Sequence, residues 1–211
     1  MRRFVKGLAR GLSRLLALPP FLAYRVDAIF LGPDKAMHGA SQGMSLLPGL
    51  FGEYVRREFY RLALDECSDD CCISFGTIFS KQGVRIGRGV YVGTNCTLGL
   101  VSLGDDVLLA SNVDVLSGAE QHRFDDPDAP VREQGGSFTR VTIGADTWIG
   151  NRSVVMADVG RKCVVGAGSI VTKPIPEGSV AVGSPARVVG ARGTKSGPRN
   201  EPARDIARSH A

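Results

Sequence analysis

Aromatic residues are scarce, at 7%, and only one of them is a tryptophan. Glycine is plentiful instead, at 27 residues. That balance suits many tight turns and small core side chains, and it disfavours a Rossmann or globin-like packing. Paired cysteine spacing is missing. The five cysteines, Cys67, Cys71, Cys72, Cys96 and Cys163, are odd in number and form no C-x-x-C pairs, which argues against a disulfide framework and against a zinc site. A reducing, cytoplasmic setting is the simplest expectation. There is also no uninterrupted apolar run. Residues 15–31 are the most hydrophobic, yet they contain Pro19, Pro20, Arg25 and Asp27, too many breaks for a transmembrane helix or a signal peptide. The formal charge is +5, but residues 191–211 alone carry five basic against two acidic side chains. No basic stripe interleaved with aromatics is visible, so nucleic-acid binding is not expected.

What is present is a period of six. From Ile86 the chain reads IGRGVY, VGTNCT, LGLVS, LGDDVL, LASNVD and VLSG; it resumes as IGADTW and IGNRSV, passes through VMAD, and continues as VGRKCV, VGAGSI and VTKP. Each complete block opens on an aliphatic residue, usually followed by glycine, with a small residue at position five. Three short strands joined by tight corners make one triangular coil of about eighteen residues, and coils stack about 4.8 Å apart. The opening residues Ile86, Val92, Leu98, Leu103, Leu109, Val115, Ile143, Ile149 and Val165 should point inward. Position five, held by Val90, Cys96, Ser102, Val107, Val113, Thr147, Ser153, Cys163 and Ser169, must be small because the prism is narrow, which makes Cys96 and Cys163 core fillers. The fold class is therefore all-β, a parallel β-helix. Two blocks are short, LGLVS and VMAD, and the repeat is suspended altogether over residues 117–140. An interruption of that length is usually a functional excursion.

The flanks lack the period. Residues 1–65 read as a helical or irregular segment, 66–190 as the β-helix domain, and 191–211 as a disordered basic tail. Phe4, Leu8, Leu12, Leu15 and Leu16 recur at helical spacing while Lys6, Arg10 and Arg14 line another face. This is a basic amphipathic helix, either packed on the protein itself or a neighbouring subunit, or in peripheral contact with a membrane. The Pro19-Pro20 pair should end it. Residues 52–64 form a second candidate helix, leading into a first coil near Ile73, and the flanking segments should cap the solenoid.

The blocks, together with WIG at 148–150, VVGAGSIVTK at 164–173 and GSPARVV at 183–189, resemble the hexapeptide-repeat acyltransferases, in particular the galactoside and maltose O-acetyltransferases and the bacterial polysaccharide O-acetyltransferases. The resemblance runs from about Phe75 to Val189. It implies a left-handed β-helix, a homotrimer, and acetyl-CoA as co-substrate in a groove between subunits, with no metal. It also implies a general-base histidine on the interrupting loop, here His122, although the register relative to the preceding strand differs slightly from the family's. His38 and His210 lie outside the repeat. Gly166, Ala167, Gly168, Thr172 and Lys173 match the edge that contacts pantetheine. Trp148 matches an aromatic at the cofactor groove, with plain packing as the alternative. Arg187, with Lys173, is placed to pair with CoA phosphates. Asn95 and Asn112 are candidates for substrate contact or simply corner residues, and Asn95 also for an oxyanion donor. Asp125, Asp126, Asp128 and Arg132 either shape the acceptor pocket or form a solvated charge run.

Transfer of an acyl group from a thioester to a hydroxyl needs a base of near-neutral pKa, because an alcohol is a poor nucleophile at pH 7. The expected activity is O-acyl transfer to a sugar or polysaccharide hydroxyl, as part of polysaccharide biosynthesis. Transfer to the amine of an amino sugar, or to an antibiotic, is the enzymatic alternative, and a non-enzymatic assembly module is the other class. A β-helical carbonic anhydrase would need three histidines on zinc, and only His122 lies among the coils.

Overall fold

The structure is a computed structural model that describes residues 2–193, with side chains from Gly11 onward. The expectation for the basic tail falls, from residue 194 onward, outside the described residues. Three helices lead: α1 (Arg2–Leu31), α2 (Pro33–Ser45) and α3 (Gly49–Ala63).

The coils follow. The first comprises β1 (Glu66–Cys67), β2 (Cys72–Ile73) and β3 (Ile78–Phe79), the second β4 (Arg85–Ile86), β5 (Tyr91–Val92) and β6 (Thr97–Leu98). The third comprises β7 (Val101–Leu103), β8 (Leu108–Leu109) and β9 (Asp114–Val115). Beyond the excursion come β10 (Val141–Ile143), β11 (Trp148–Ile149) and β12 (Val154–Val155), then β13 (Val164–Val165) and β14 (Ile170–Val171). The chain ends in β15 (Ser179–Val182) and β16 (Arg187–Ala191), which folds back antiparallel on β15. All other pairings are parallel and join equivalent strands of successive coils, giving three faces: β1-β4-β7-β10, β2-β5-β8-β11-β13-β15 and β3-β6-β9-β12-β14. On the first face the stacking continues past β10 as single bridges from Ile143 to Val159 and from Val159 to Ile175.

The inward ladder is as the period predicts: all nine opening residues are buried. Each contributes about 1.5–3 kcal/mol by leaving water, and neighbours above and below fill the gaps. Position five is also buried at every expected site except Ser102. There the five-residue block shifts the register, and Val101 takes the interior place, fully buried, while Ser102 is half-exposed. Cys96 and Cys163 are buried core residues, and all five cysteines are free thiols.

The helices cap the first coil. Arg56 of α3 is fully buried and donates from Nε to the Ile73 carbonyl at 2.9 Å and from a terminal nitrogen to the Leu47 carbonyl. It thereby satisfies a carbonyl that no further coil can reach, and burial pulls its pKa down. Tyr24, Phe59, Tyr60 and Phe79 form an edge-on aromatic chain from α1 into the coil. The expected break at Pro19-Pro20 does not occur; both prolines lie inside α1. Proline removes bonds to the carbonyls four residues back, here those of Leu15 and Leu16. Both residues are exposed, so water can serve those oxygens, while Ala17 and Tyr24 hold the helix down on either side. The second expected helix is α3, begun three residues earlier at Gly49. The coils begin at Glu66, before Ile73.

Candidate active site

The three edges of the prism differ. Between the first and second faces, Gly89, Asp106, Asp146, Lys162 and Gly178 take left-handed backbone conformations in successive coils. Between the second and third faces Gly76, Asn95, Asn112, Arg152 and Gly168 do the same. Glycine, asparagine and aspartate tolerate that region best. The turn amides bond carbonyls of the preceding coil, Asn95 to Phe75 at 3.0 Å and Asn112 to Thr94 at 2.9 Å. At the start of the first of these edges Asp70 accepts from the Ser68 hydroxyl and the Gly89 amide, which hold its carboxyl below the ordinary range. The third edge is irregular. Both short blocks turn there, and there the chain leaves the repeat after β9 and returns at β10.

The excursion is a loop whose outgoing and returning limbs are laddered by backbone hydrogen bonds. Ser117 is buried; its Oγ accepts from the Leu100 amide at 2.8 Å and its carbonyl accepts from the Thr139 amide at 3.0 Å. Further out Ser137 donates to the Glu120 carbonyl at 2.8 Å, and Arg123 to the Gly135 carbonyl at 2.9 Å. At the tip the Gln134 side chain accepts from the Asp126 amide at 3.0 Å and donates to the Asp126 and Ala129 carbonyls, each at 2.8 Å. A short 3-10 turn at Val131–Glu133 closes it. Phe138 lies 3.9 Å beneath the Lys81 ammonium, which is itself paired with Asp34 of α2 at 2.9 Å. Arg140 at the return strand pairs with Asp65.

His122 sits on this ladder, exposed, between Gln121 and Arg123. A methyl group at Gly136, on the facing strand, would stand 2.0 Å from the Gln121 carbonyl oxygen and 2.9 Å from the His122 amide nitrogen. The close approach of the two strands therefore requires glycine at 136. A groove of about 210 Å³ runs along the third face, lined by Ser80, Thr97, Asp114, Val154, Ser117 and Gln121 among others, and His122 follows Gln121 in the chain. Thr97, Asp114 and Val154 are register partners in successive coils, so the Asp114 carboxylate stands in the middle of the groove floor. The carboxylate, amide and hydroxyls of the groove can hold the hydroxyls of a polyol, and a solvent-reachable imidazole can exchange a proton.

The remaining candidates are spread over the prism. Thr172 and Lys173 are exposed at the same irregular edge as the excursion, below it along the stack. Asn95 and Asn112, with Gly166, Ala167 and Gly168, occupy the edge between the second and third faces; a side chain at Gly168 would meet nothing within 4 Å, so that rim is open. Trp148 projects half-exposed from the second face, in a ladder with Tyr91, Leu108 and Val164. Arg187 is exposed on β16. Asp125 pairs with Arg123 at 3.0 Å, and the Arg132 guanidinium with Glu133 at 3.5 Å. Asp126 accepts the Asp128 amide at 2.9 Å and so shapes the tip turn. Within one chain His122 and the second edge are thus on different corners. Sequence reasoning missed Thr97, Asp114, Gln121 and Gly136. The first two occupy the outward position just before an inward aliphatic, a signal that was open to reading.

The family model for the hexapeptide repeat of succinyl-transferase matches residues 83–117 and 140–173, the two runs on either side of the excursion. The galactoside O-acetyltransferase of Escherichia coli K12 is 39% identical over 115 residues, covering 51% of this chain and 54% of that protein. A Staphylococcus aureus MRSA252 protein named as an acetyltransferase is 36% identical over 141 residues, covering 64% of this chain and 68% of that one. The chain spans about half the length of the first curated relatives it matches, 55% and 54%. Among solved structures, a maltose O-acetyltransferase from Clostridium difficile 630 superposes with a TM-score of 0.61 at 24% identity, covering 74% of this chain and 86% of that one. An N-acyltransferase from Bacillus cereus, solved with dTDP and coenzyme A, superposes at 0.51 with 22% identity, covering 58% and 70%. With its repeat, its parallel coils and these relatives, the chain belongs to the hexapeptide-repeat acetyltransferases and carries their left-handed parallel β-helix.

Proposed function

We propose that the protein transfers an acyl group, acetyl in the first instance, from coenzyme A to a sugar or polysaccharide hydroxyl, with His122 as general base. One observation carries the reading. The coil is regular away from the third edge, and the one long excursion from that edge carries the one histidine of the repeat region, next in the chain to Gln121 of the polar groove. The E. coli and C. difficile relatives are named for O-acetyl transfer to sugars, and the B. cereus neighbour for binding coenzyme A; these names support the donor and the class of acceptor.

In this mechanism the His122 Nε2 accepts the acceptor hydroxyl proton as that oxygen attacks the thioester carbonyl carbon. The tetrahedral oxyanion collapses, the carbon–sulfur bond breaks, and the imidazolium returns its proton to the departing thiolate. Asp114 and Gln121 would hold neighbouring hydroxyls of the acceptor. The donor fits this chain's own residues. Ala167 and Gly168 leave an open rim for the pantetheine arm, with Gly166 closed over by Val182, and Lys173 and Arg187 supply exposed cations for phosphates. Because the rim and His122 lie on different corners, the reading requires a second subunit to complete each site, in keeping with a homotrimer. The exposed Leu108 and Trp148 ladder is an apolar surface that such a neighbour could cover.

The test is a product screen: incubate the protein with acetyl-CoA and a panel of sugars, polysaccharides and amino sugars, and identify products by mass spectrometry. Ester formation on a sugar supports the proposal. Amide formation would replace it with N-acyl transfer, the activity for which the B. cereus neighbour is named, and no transfer to any acceptor would count against enzyme function.

A further inference from the structure

The continuous α1 helix carries two faces with different fates. Ser13, Ala17 and Tyr24 are buried where α1 packs on α2 and α3. On the opposite side Leu12, Leu15, Leu18, Leu22, Val26 and Ile29 repeat at helical spacing, and all are exposed, Leu15 at 65%, Leu22 at 60% and Ile29 at 79%, with Phe30 beside them at 80%. An apolar stripe of this length is far larger than a monomer normally leaves in water. It runs straight through Pro19 and Pro20, so it is twice as long as the first half of the helix alone would allow. Yet no described helix is long and apolar enough to cross a membrane.

Charge indicates what covers the stripe. The segment 2–31 contains Arg2, Arg3, Lys6, Arg10, Arg14 and Arg25 against Asp27 alone, six positive and one negative, a net +5. Arg14 and Arg25 are eleven residues apart, about three turns, and so stand on the same border of the stripe. A groove of about 460 Å³ opens between α1 and α3, with Leu15, Leu18 and Leu62 as its apolar lining and Arg14 and Arg61 as its cations, which share the Glu58 carboxylate at 3.1 and 2.9 Å. Two copies of this helix packed face to face would set +5 against +5. An anionic lipid surface satisfies both the apolar stripe and its cationic border.

We infer that α1 is an in-plane anchor that docks the protein on an anionic bilayer surface. The stripe from Leu12 to Phe30 enters the headgroup–acyl boundary, and Arg25 meets lipid phosphates, with Arg14 held at the same border by Glu58. This inference is independent of the acyl-transfer chemistry.

The experiment is flotation of the full chain with vesicles of phosphatidylcholine alone and of phosphatidylcholine containing about one third phosphatidylglycerol. A triple variant, Leu15→Asp, Leu22→Asp and Val26→Asp, is compared at the same concentration. All three sites are exposed, and circular dichroism and light scattering report the variant's fold and assembly. The wild type should float with the anionic vesicles, several-fold less with the neutral ones, and less again as salt rises. The triple variant should lose about tenfold or more of the bound fraction. Equal binding by variant and wild type, or no binding to anionic vesicles, would overturn the inference. So would a folded variant whose oligomeric mass falls, because the stripe would then belong to a second copy of the chain.

Discussion

Replacing Gly136 by alanine perturbs the proposed catalytic site without touching the side chain proposed as its base. The added methyl would lie 2.0 Å from the Gln121 carbonyl oxygen, whereas ordinary contact begins near 3.4 Å. The two strands of the excursion must therefore part by about 1.4 Å, and His122, whose amide is only 2.9 Å from the same methyl, moves with its strand. A displacement near 1 Å of a positioned group costs about a hundredfold in rate. The expected result is a kcat lower by about two orders of magnitude and a KM for acetyl-CoA within about twofold of wild type. Overpacking costs about 1–3 kcal/mol, confined to the excursion, so the main thermal unfolding of the coils should barely shift. Gly135→Ala is the control. Its φ of +75° strains an alanine, yet nothing lies within 4 Å of the added carbon, so it loads the same turn without a collision. A folded Gly136→Ala protein that turns over within threefold of wild type would refute the argument. An equal loss in Gly135→Ala would assign the effect to backbone strain instead.

The other expectations are narrower. Leu109→Ala, in the centre of the inward ladder, should cost about 2–5 kcal/mol in denaturant unfolding; a cost below about 1 kcal/mol would mean the coils are not close-packed there. Lys173→Ala with Arg187→Ala should raise the KM for acetyl-CoA about tenfold with little change in kcat, as loss of charge-assisted phosphate contacts does; an unchanged KM would remove both from the donor site. Asp70, whose folded pKa is depressed by the Ser68 hydroxyl and the Gly89 amide, stabilises the fold above the ordinary carboxylate range and ceases to do so as pH falls through its folded value. Melting curves of Asp70→Asn should lie below wild type at neutral pH and converge with it in acid; a gap independent of pH would contradict that linkage. Light scattering should give three times the 22.4 kDa chain mass, and a stable monomer would leave each site without its second wall.

The coils were legible because their inward positions obey a strict spacing and a narrow interior tolerates few residue types. The one misplaced core residue, Ser102, follows from a block one residue short, which exchanges the roles of Ser102 and Val101. Helix α2 was invisible because its buried stripe is Met37, Ser41 and Ser45, and serines do not register as an apolar period. Ser41 is buried because its hydroxyl pairs with Tyr60 at 2.8 Å and accepts the Phe79 amide, contacts between segments far apart in the chain. The length of α1 was hidden by Pro19 and Pro20, whose cost depends on whether the freed carbonyls reach water. The histidine stood out by its loop. The groove of the third face did not, because Thr97, Asp114 and Gln121 come together only when coils stack and the excursion leaves from them.

The central claim is that His122 moves the proton, and His122→Asn tests it most directly. Asparagine keeps hydrogen-bonding capacity and part of the volume but cannot take up a proton near neutral pH. Steady-state kinetics with acetyl-CoA and the accepted sugar, alongside calorimetric measurement of coenzyme A binding, should show kcat reduced by about two to four orders of magnitude with CoA affinity and assembly unchanged. A folded, correctly assembled His122→Asn protein that turns over within threefold of wild type would contradict the account.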